Sequence, residues 1–420
     1  MNRELTLRKK LAWVFLLYFA EGFPYGIVKD VLPVYFREHG LSLAGIGLFS
    51  LLGIPWTLKF LWSPLVDRFG EKRHWVTSCL MAMAVLAVLV PFFKPVVMTL
   101  SLWIVLLGFT MASATQDIAI DAYTIGLMDR GEEGEANGMR VTAYRIAIIA
   151  GGGGIVILSE SIRWKYLFLM ASIIFCILAF RSWHIPRIIV PVEKRREWLT
   201  ALRFWLSQPG AMAVLLFVII YRLADFTIGP MIKPFWLDRG LSAGEIGAVS
   251  ISLGVVATIA GALLGGHLTT RWGIFHGLWI LGFAPALSNL GYAAIAWIDP
   301  PAPDIMMTFS SFASSGFIYA LKEPARAMIY SASLLESFTA GLGTAVYLSF
   351  LMRICQKEFA ATQYALLSAL FALARDLSGA PSGWSAEILG YSSYFTLTFL
   401  LAFPAYLLLP WIRSWIREDR

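Results

Sequence analysis

Twelve runs of about twenty predominantly apolar residues follow one another along this 420-residue chain, and no other feature constrains its fold as much. A run of this length crosses a bilayer as a helix, which satisfies its own backbone hydrogen bonds there. The composition agrees, since 58% of the residues are hydrophobic and 15% are charged, against about 45–50% and 25% in soluble domains. The sequence therefore predicts an all-α polytopic membrane protein. The predicted spans are 11–36, 43–66, 75–93, 97–128, 139–159, 164–182, 211–237, 243–268, 275–298, 330–352, 360–388 and 392–412.

The basic segments predict which side of the membrane each connection faces. The longest connection, 183–210, has the basic core EKRREW, and the N-terminus, the 67–74 and 353–357 loops and the C-terminal tail are basic as well. With twelve spans all of these segments lie on one side, which the positive-inside rule makes cytoplasmic. Both termini are therefore expected inside, and the basic cytoplasmic linker 183–210 separates a six-helix bundle of 1–182 from a six-helix bundle of 211–420.

The two bundles resemble each other in sequence. GLSLAGIGLFS at 40–50 matches GLSAGEIGAVS at 240–250, and DRFG at 67–70 matches TRWG at 270–273. Two parallel repeats of six spans, joined by a basic loop, resemble the architecture of the major facilitator superfamily. The sequence thus predicts two pseudo-symmetric halves.

The spacing of the repeat indicates an insertion in the second half. The offset between matching residues rises from 203 at the DRFG loop to 224 where Met128 aligns with Met352. About 21 extra residues are therefore expected near 299–327. Residues 305–321 are apolar enough for a thirteenth span, but that span would move the C-terminus outside. We interpret the segment as an outer-loop insertion, either interfacial or re-entrant.

The loop after the second span, SPLVDRFGEKR, is similar to the superfamily signature at this place. Glycine permits a tight turn, Asp67 can cap or pair with a neighbouring helix end, and Arg68 can reach an acid across the domain interface. Such contacts hold one conformation and break in another. The alternative is that these are ordinary basic-loop residues. The expected gating residues are Asp67, Arg68, Gly70, Arg271 and Gly273.

Two carboxylates lie inside the fourth span, in TQDIAIDAY. Asp117 and Asp121 are four residues apart and share one helix face. Asp117 is expected about 16 Å from the inner end of its span and Asp121 about 10 Å, with Arg145 of the fifth span at about 9 Å. We therefore predict an ion pair between Asp121 and Arg145. Desolvation of the deeper Asp117 favours its protonated form, so it is a candidate proton carrier or, alternatively, a structural acid paired with a basic neighbour.

Further charges interrupt the first, second and seventh spans, and charges within a membrane indicate functional positions. The first and seventh spans also contain Gly and Pro, which are tolerated where a helix lines a cavity. Lys29 and Asp30 lie either in that cavity or in water at the outer end of the span. GGGG at 151–154 lies inside a span and predicts close helix approach. The expected cavity residues on these spans are Glu21, Lys29, Asp30, Lys59, Arg222 and Asp225.

Several longer stretches are similar to the AmpG-type permeases, a branch of the superfamily related to acetyl-coenzyme A transporters and siderophore importers. They are YFAEGFPYGI, LKFLWSPLVDRFG, TQDIAIDAY, YRIAIIAGGG and LESFTAGLGTAVYLSFLMRICQKEFAATQYALLSAL. The resemblance implies a proton-coupled importer of anhydro-muropeptides working by alternating access. It places the family's charged and polar positions at Lys59, Asp67, Arg68, Gln116, Asp117, Asp121, Arg145 and Gln363.

Two departures leave an alternative cargo open. The insertion near 299–327 is unlike the short connection of muropeptide permeases, and GEANGMRV at 134–141 is closer to the siderophore branch. The alternative is an importer of a siderophore or another anionic conjugate with the same fold.

Other classes of protein fit the sequence less well. A membrane-embedded enzyme would need metal-ligand spacings or a nucleophile motif, and a nucleic-acid-binding protein would need a soluble domain. We expect no catalytic residues, cofactor, metal or nucleic acid. The expected partners are a small-molecule solute, protons and lipid, for a monomer in a bacterial inner membrane.

Overall fold

The structure is a computed structural model that describes residues 6–129, 132–187, 207–298, 315–355 and 360–416. Within these ranges the chain forms helices joined by turns, which confirms the all-α prediction. Residues 188–206 of the predicted linker and 299–314 of the predicted insertion lie outside the described residues.

Eleven helical segments of the described residues are long and apolar enough to cross a membrane. The first nine are Leu7–Glu38 (α1), Leu43–Leu61 (α2), Lys72–Phe92 (α3), Leu100–Leu127 (α4), Glu135–Leu158 (α5), Trp164–Trp183 (α6), Ala211–Asp238 (α7), Ala243–Trp272 (α8) and Ile274–Ile298 (α9). The next helix, α10, covers Ser315–Arg353. Residues 315–327, assigned above to the insertion, are therefore helical and continue unbroken into the tenth span.

The last two spans meet at a glycine. Helix α11 covers Ala360–Gly379, and the following segment Ser382–Leu400 is interrupted at Gly390, whose φ of +70° is not helical. The part before Gly390 extends α11, and the part after it forms α12 together with Phe403–Ile416. The chain thus makes twelve helical passes within its described residues, as predicted.

The chain divides into two compact units. The first consists of Met1–Ser42 and Leu52–Arg195, and the second consists of Leu43–Leu51 and Arg196–Arg420. In the first unit α1 packs on α4 and α5, and α3 packs on α4 and α6. In the second unit α10 packs on α8 and α9. The start of α2 belongs to the second unit because a Cβ on Gly47 would lie only 2.7 Å from the backbone nitrogen of Gly383.

The sequence repeat appears in the structure as a repeated turn. Gly40 after α1 and Gly240 after α7 have φ angles of +87° and +73°, which glycine adopts without steric cost. The residue after each glycine donates its N–H to a carbonyl five residues earlier, at 3.0 Å in the first turn and 3.1 Å in the second. The two GLS motifs therefore cap the two symmetry-related helices in the same way.

Helices α1 and α5 approach each other closely through glycines. A Cβ on Gly26 would lie 2.8 Å from the Gly152 nitrogen, and one on Gly151 would lie 2.6 Å from the Phe23 carbonyl oxygen. Both helices widen to π geometry here, over Ile27–Val31 and Ile149–Gly154. The glycine tetrad thus allows the predicted close contact between α1 and α5.

An ion-pair cluster fixes the beginning of α1 to the connection between α4 and α5. The Lys10 ammonium lies 2.6 Å from Asp129 Oδ2 and 2.8 Å from Glu132 Oε2. The hydrogen bond from Lys10 lowers the pKa of Glu132, which also accepts the Asp129 backbone N–H. This cluster holds the near ends of three helices of the first unit together.

Candidate functional site

Five charged side chains from α1, α2, α4 and α5 meet inside the first unit, and we call them the charge cluster: Glu21, Lys59, Asp117, Asp121 and Arg140. Lys59 Nζ lies 3.6 Å from Asp117 Oδ2 and 3.8 Å from Asp121 Oδ2. One ammonium therefore contacts both acids, as their i, i+4 spacing on one face of α4 predicts. The deeper acid, Asp117, is 6% exposed.

Two tryptophans place Lys59 against α4. Trp56 Nε1 donates to Ser113 Oγ at 3.2 Å, and Trp62 Nε1 donates to Thr115 Oγ1 at 3.1 Å. These residues lie three positions before and after Lys59, where α2 tightens to a 3₁₀ turn at Lys59–Leu61. Lys59 is thus held on both sides at the height of the two aspartates.

Asp121 has a different partner from the predicted one. Its Oδ1 accepts a hydrogen bond from the Tyr18 hydroxyl at 2.8 Å and forms an ion pair with Arg140 Nη2 at 3.1 Å. The guanidinium of Arg140 lies 4.7 Å from the centre of the Tyr18 ring. The predicted pair of Asp121 with Arg145 is wrong. The fifth helix begins at Glu133, six residues before the predicted start, so Arg140 lies at the depth that had been assigned to Arg145.

Several polar atoms of the site make no hydrogen bond within the described part of the chain. They are one carboxylate oxygen each of Glu21 and Asp117 and both amide atoms of Gln116. Gln116 is fully buried, and Glu21 lies in the electrostatic field of both aspartates, Lys59 and Arg140. Because buried polar groups normally find a partner, the two carboxylate oxygens can take up a proton. All four atoms can form hydrogen bonds to a water molecule or a polar solute, with the Gln116 nitrogen as donor.

The charges of the cluster do not balance when all groups are ionised. Glu21, Asp117 and Asp121 supply three negative charges, whereas Lys59 and Arg140 supply two positive ones. A net charge of −1 in a low-dielectric site is costly. One bound proton makes the cluster neutral, and a cationic group would have the same effect.

Arg140 and Arg145 provide a direct comparison between two arginines of one helix. We expect Arg140→Gln to reduce uptake about 10- to 100-fold, because a hydrogen bond to a charged group contributes about 1.5–3 kcal/mol. Arg145→Gln should leave uptake within about threefold of the wild type, since Arg145 makes no contact with Asp121. Initial uptake rates in proteoliposomes with equal protein content measure both effects. Equal losses in the two variants would contradict the assignment of Arg140.

The two charges predicted on the seventh span form an ion pair in the second unit. Arg222 Nε lies 2.8 Å from Asp225 Oδ2, and the Arg222 Nη1 and Nη2 atoms each donate to the Ala340 carbonyl oxygen of α10 at 3.4 Å. Arg222 is 5% exposed. It lies between the helical segments Ala211–Ile220 and Leu223–Asp238 of α7, so the pair stabilises a break in that helix.

The other predicted cavity residues are not in the charge cluster. Lys29 and Asp30 lie in the π segment of α1, and Asp30 is buried against Gly152 of α5. The outer-end alternative in water is therefore wrong for Asp30. Gln363 of α11 is 2% exposed and belongs to the second unit.

The predicted gating residues lie in the short helix Ser63–Arg68 after α2, in the bend that follows it, and at the end of α8. Gly70 and Gly273 have φ angles of +72° and +79°, which confirms that both loops turn on a glycine. Arg68 lies over the Phe69 ring at 5.8 Å, and Arg271 is in the last turn of α8. The Asp67 side chain lies outside the described part of the chain.

Sequence reasoning missed three residues that the structure brings to these clusters. Tyr18 precedes Glu21 by one helical turn, which places it on the same face, and this spacing could have identified it. The prediction placed Arg140 only one residue into the fifth span, because that span was expected to begin at 139. Glu336 of α10, which lies near Arg222 and Asp225, follows the apolar stretch SASLL without another charge to mark it.

The described residues contain no group of three or more His, Cys, Asp or Glu side chains placed to hold a metal ion. The polar groups of the charge cluster are instead carboxylates and cations on four helices of one bundle. This arrangement can bind protons and polar or charged solutes.

The sequence of this chain matches a family model and several known proteins over most of its length. The model of the family described as Major Facilitator Superfamily matches residues 14–334. The chain is 32% identical to the anhydromuropeptide permease of Escherichia coli K12, over 97% of this chain and 81% of that protein. It is 28% identical to the putative transporter AmpG 4 of Rickettsia conorii, over 96% of this chain and 97% of that protein.

Solved structures share the fold at low sequence identity. A bacterial homologue of the human lysosomal transporter Spinster, inward-facing and unoccupied, matches with a TM-score of 0.76 and 13% identity over 100% of this chain and 99% of that one. The nucleoside transporter NupG matches with a TM-score of 0.72 and 15% identity over 99% of this chain and 100% of that one. Both comparisons show that the chain shares the fold of these transporters.

Proposed function

Because the chain belongs to the major facilitator superfamily, in its AmpG-type branch, we propose that this membrane transporter imports anhydro-muropeptides together with protons. The cargo is proposed from the 32% identity to the anhydromuropeptide permease, which extends over 97% of the chain. The protein would lie in a bacterial inner membrane, with both of its termini in the cytoplasm. Transport would occur by alternating access, and the similar proteins compared above are named as a permease and a putative transporter.

The observation that carries proton coupling is the imbalance of the charge cluster. Three carboxylates share two cations, and Asp117 is the most buried acid with an oxygen that has no hydrogen-bond partner among the described residues. A proton on Asp117 would make the cluster neutral. Lys59 would then form an ion pair with Asp121 alone. The charge of Asp117 would thereby control how strongly α2 is held to α4. This dependence is what a coupled transporter requires, because ligand and proton must bias the same conformational equilibrium.

The proposal is tested by uptake of labelled N-acetylglucosamine–anhydromuramyl peptide into proteoliposomes. The wild type should accumulate the solute above the equilibrium level when an inward proton gradient is imposed, and a protonophore should abolish the excess. Asp117→Asn is isosteric and permanently neutral, so it should lose gradient-driven accumulation and keep exchange of solute across the membrane.

Each other outcome identifies the part of the proposal that fails. If accumulation persists in Asp117→Asn, Asp117 does not carry the coupled proton and has a structural role. If the folded wild type takes up no muropeptide, the cargo is wrong, and a siderophore conjugate is the next solute to assay in the same vesicles.

A further inference from the structure

The second unit contains a buried ion pair that the proposed function does not use. Arg222 and Asp225 meet at the break in α7, and the guanidinium also donates to the Ala340 carbonyl of α10. Gly343 makes room for it, since a Cβ there would lie 2.4 Å from Arg222 Nη1. The Arg222 side chain therefore attaches the break of α7 to one face of α10.

The same face of α10 carries a further acid. Glu336 precedes Ala340 by four residues and Gly343 by seven, so all three face the break in α7. The Glu336 carboxylate accepts a 3.4 Å hydrogen bond from Ser337 Oγ. Glu336 makes no ion pair among the described residues, and the nearby Arg222 is paired with Asp225.

The groups around Glu336 come from three further helices. The charged groups that act on it are Arg222, Asp225 and Lys233 of α7, with the Tyr292 hydroxyl of α9 close by. On the side of α8, Gly254 packs against Ser337. Tyr292 is fully buried, and its hydroxyl lies beside the side chains of Ser333 and Trp236. The Glu336 carboxylate is therefore placed among charged and polar groups of α7 and α9.

We propose that Glu336 is a second proton-binding site and that its ionisation draws Arg222 away from Asp225. When Glu336 carries its proton it is neutral, and Arg222 remains paired with Asp225 as in this structure. When the proton leaves to water, two carboxylates share one guanidinium, and Arg222 shifts toward α10. Because Arg222 occupies the break in α7, the proton on α10 controls the bend of α7. The inference rests on the proposed proton coupling and extends it to the second unit.

The test measures solute and proton movement together. Proteoliposomes contain the pH dye pyranine and begin at equal pH on both sides, and labelled N-acetylglucosamine–anhydromuramyl peptide is added outside. The variants are Glu336→Gln, Glu336→Asp and the control Glu387→Gln. Glu387 is an exposed acid of the same unit that accepts the Ala44 N–H, which an amide oxygen can also accept.

We expect Glu336→Gln to move solute down its gradient at a rate close to that of the wild type. The number of protons that enter with each solute molecule should be lower than in the wild type. Retained solute flux also shows that the variant is folded. Glu336→Asp should restore the proton influx, and Glu387→Gln should behave as the wild type.

If Glu336→Gln keeps the proton-to-solute ratio of the wild type, the inference about Glu336 is wrong, whereas the proposed proton coupling is unaffected. Loss of solute movement in both Glu336 variants would also overturn the inference, since a structural role would explain that result. If the wild type moves solute without protons, the proposed coupling itself fails.

Discussion

Lys59→Met is expected to abolish gradient-driven uptake and to destabilise the protein, the largest effect of any single substitution in the charge cluster. Lys59 is the cation that contacts both Asp117 and Asp121. Removing one partner of a buried ion pair costs about 3–5 kcal/mol, because the remaining charge is left uncompensated. Without Lys59, only Arg140 remains for three carboxylates. Thermal stability in detergent and uptake into proteoliposomes measure the two effects separately.

The matched control for Lys59→Met is the double variant Lys59→Met with Asp117→Asn. It removes one charge of each sign and restores the net charge of the cluster to that of the wild type. We expect the thermal stability to recover most of the loss, whereas gradient-driven uptake remains absent. Equal stability of the single and double variants would contradict an electrostatic origin, and normal uptake in either variant would contradict the role given to Lys59.

The second large effect is expected for Gly151→Ala, at the contact between α1 and α5. A Cβ at this position would lie 2.6 Å from the Phe23 carbonyl oxygen and 2.9 Å from the Phe23 ring. A backbone atom cannot move aside as a flexible side chain can, so the two helices must separate. Overpacking of this kind costs about 1–3 kcal/mol. The change should lower the thermal stability in detergent and reduce uptake, since Tyr18 and Glu21 lie on the displaced helix.

Gly154→Ala is the control within the same glycine tetrad. Its added Cβ would lie 3.5 Å from the nearest neighbouring atom, the Ile149 carbonyl oxygen, which is an ordinary contact. Alanine also favours helix by about 1 kcal/mol over glycine, so the stability should be unchanged or raised. If both variants lose stability equally, the loss of glycine flexibility and not the close approach is responsible.

The fold could be predicted from the sequence because hydropathy alone determines which segments enter a membrane. The twelve passes follow from the apolar runs, and the paired turns at Gly40 and Gly240 follow from the repeated GLS motif. The two aspartates on one face of α4 follow from helix periodicity. These features depend on residues close together in the chain, so they can be read locally.

The partners in the site could not be predicted in the same way, because they depend on where each helix begins. Because the fifth helix begins at Glu133, the partner of Asp121 is Arg140 and not the predicted Arg145. The π segment Ile27–Val31 also rotates the rest of α1, which turns Asp30 toward Gly152. The bonds of Trp56 and Trp62 that hold Lys59 against α4 join residues more than fifty positions apart, and no local pattern indicates them.

The charge cluster also has a consequence for the order of assembly during synthesis. Its residues enter the membrane in chain order, so Glu21 and Lys59 are in place before the ribosome has made the fourth helix. Lys59 can then compensate Asp117 and Asp121 as that helix leaves the translocon, and Arg140 arrives only with the next one. A charged helix that is poorly inserted alone thus meets its counter-ion on a helix already delivered. The same lysine that holds the mature site together would act as an intramolecular insertion partner for the nascent chain.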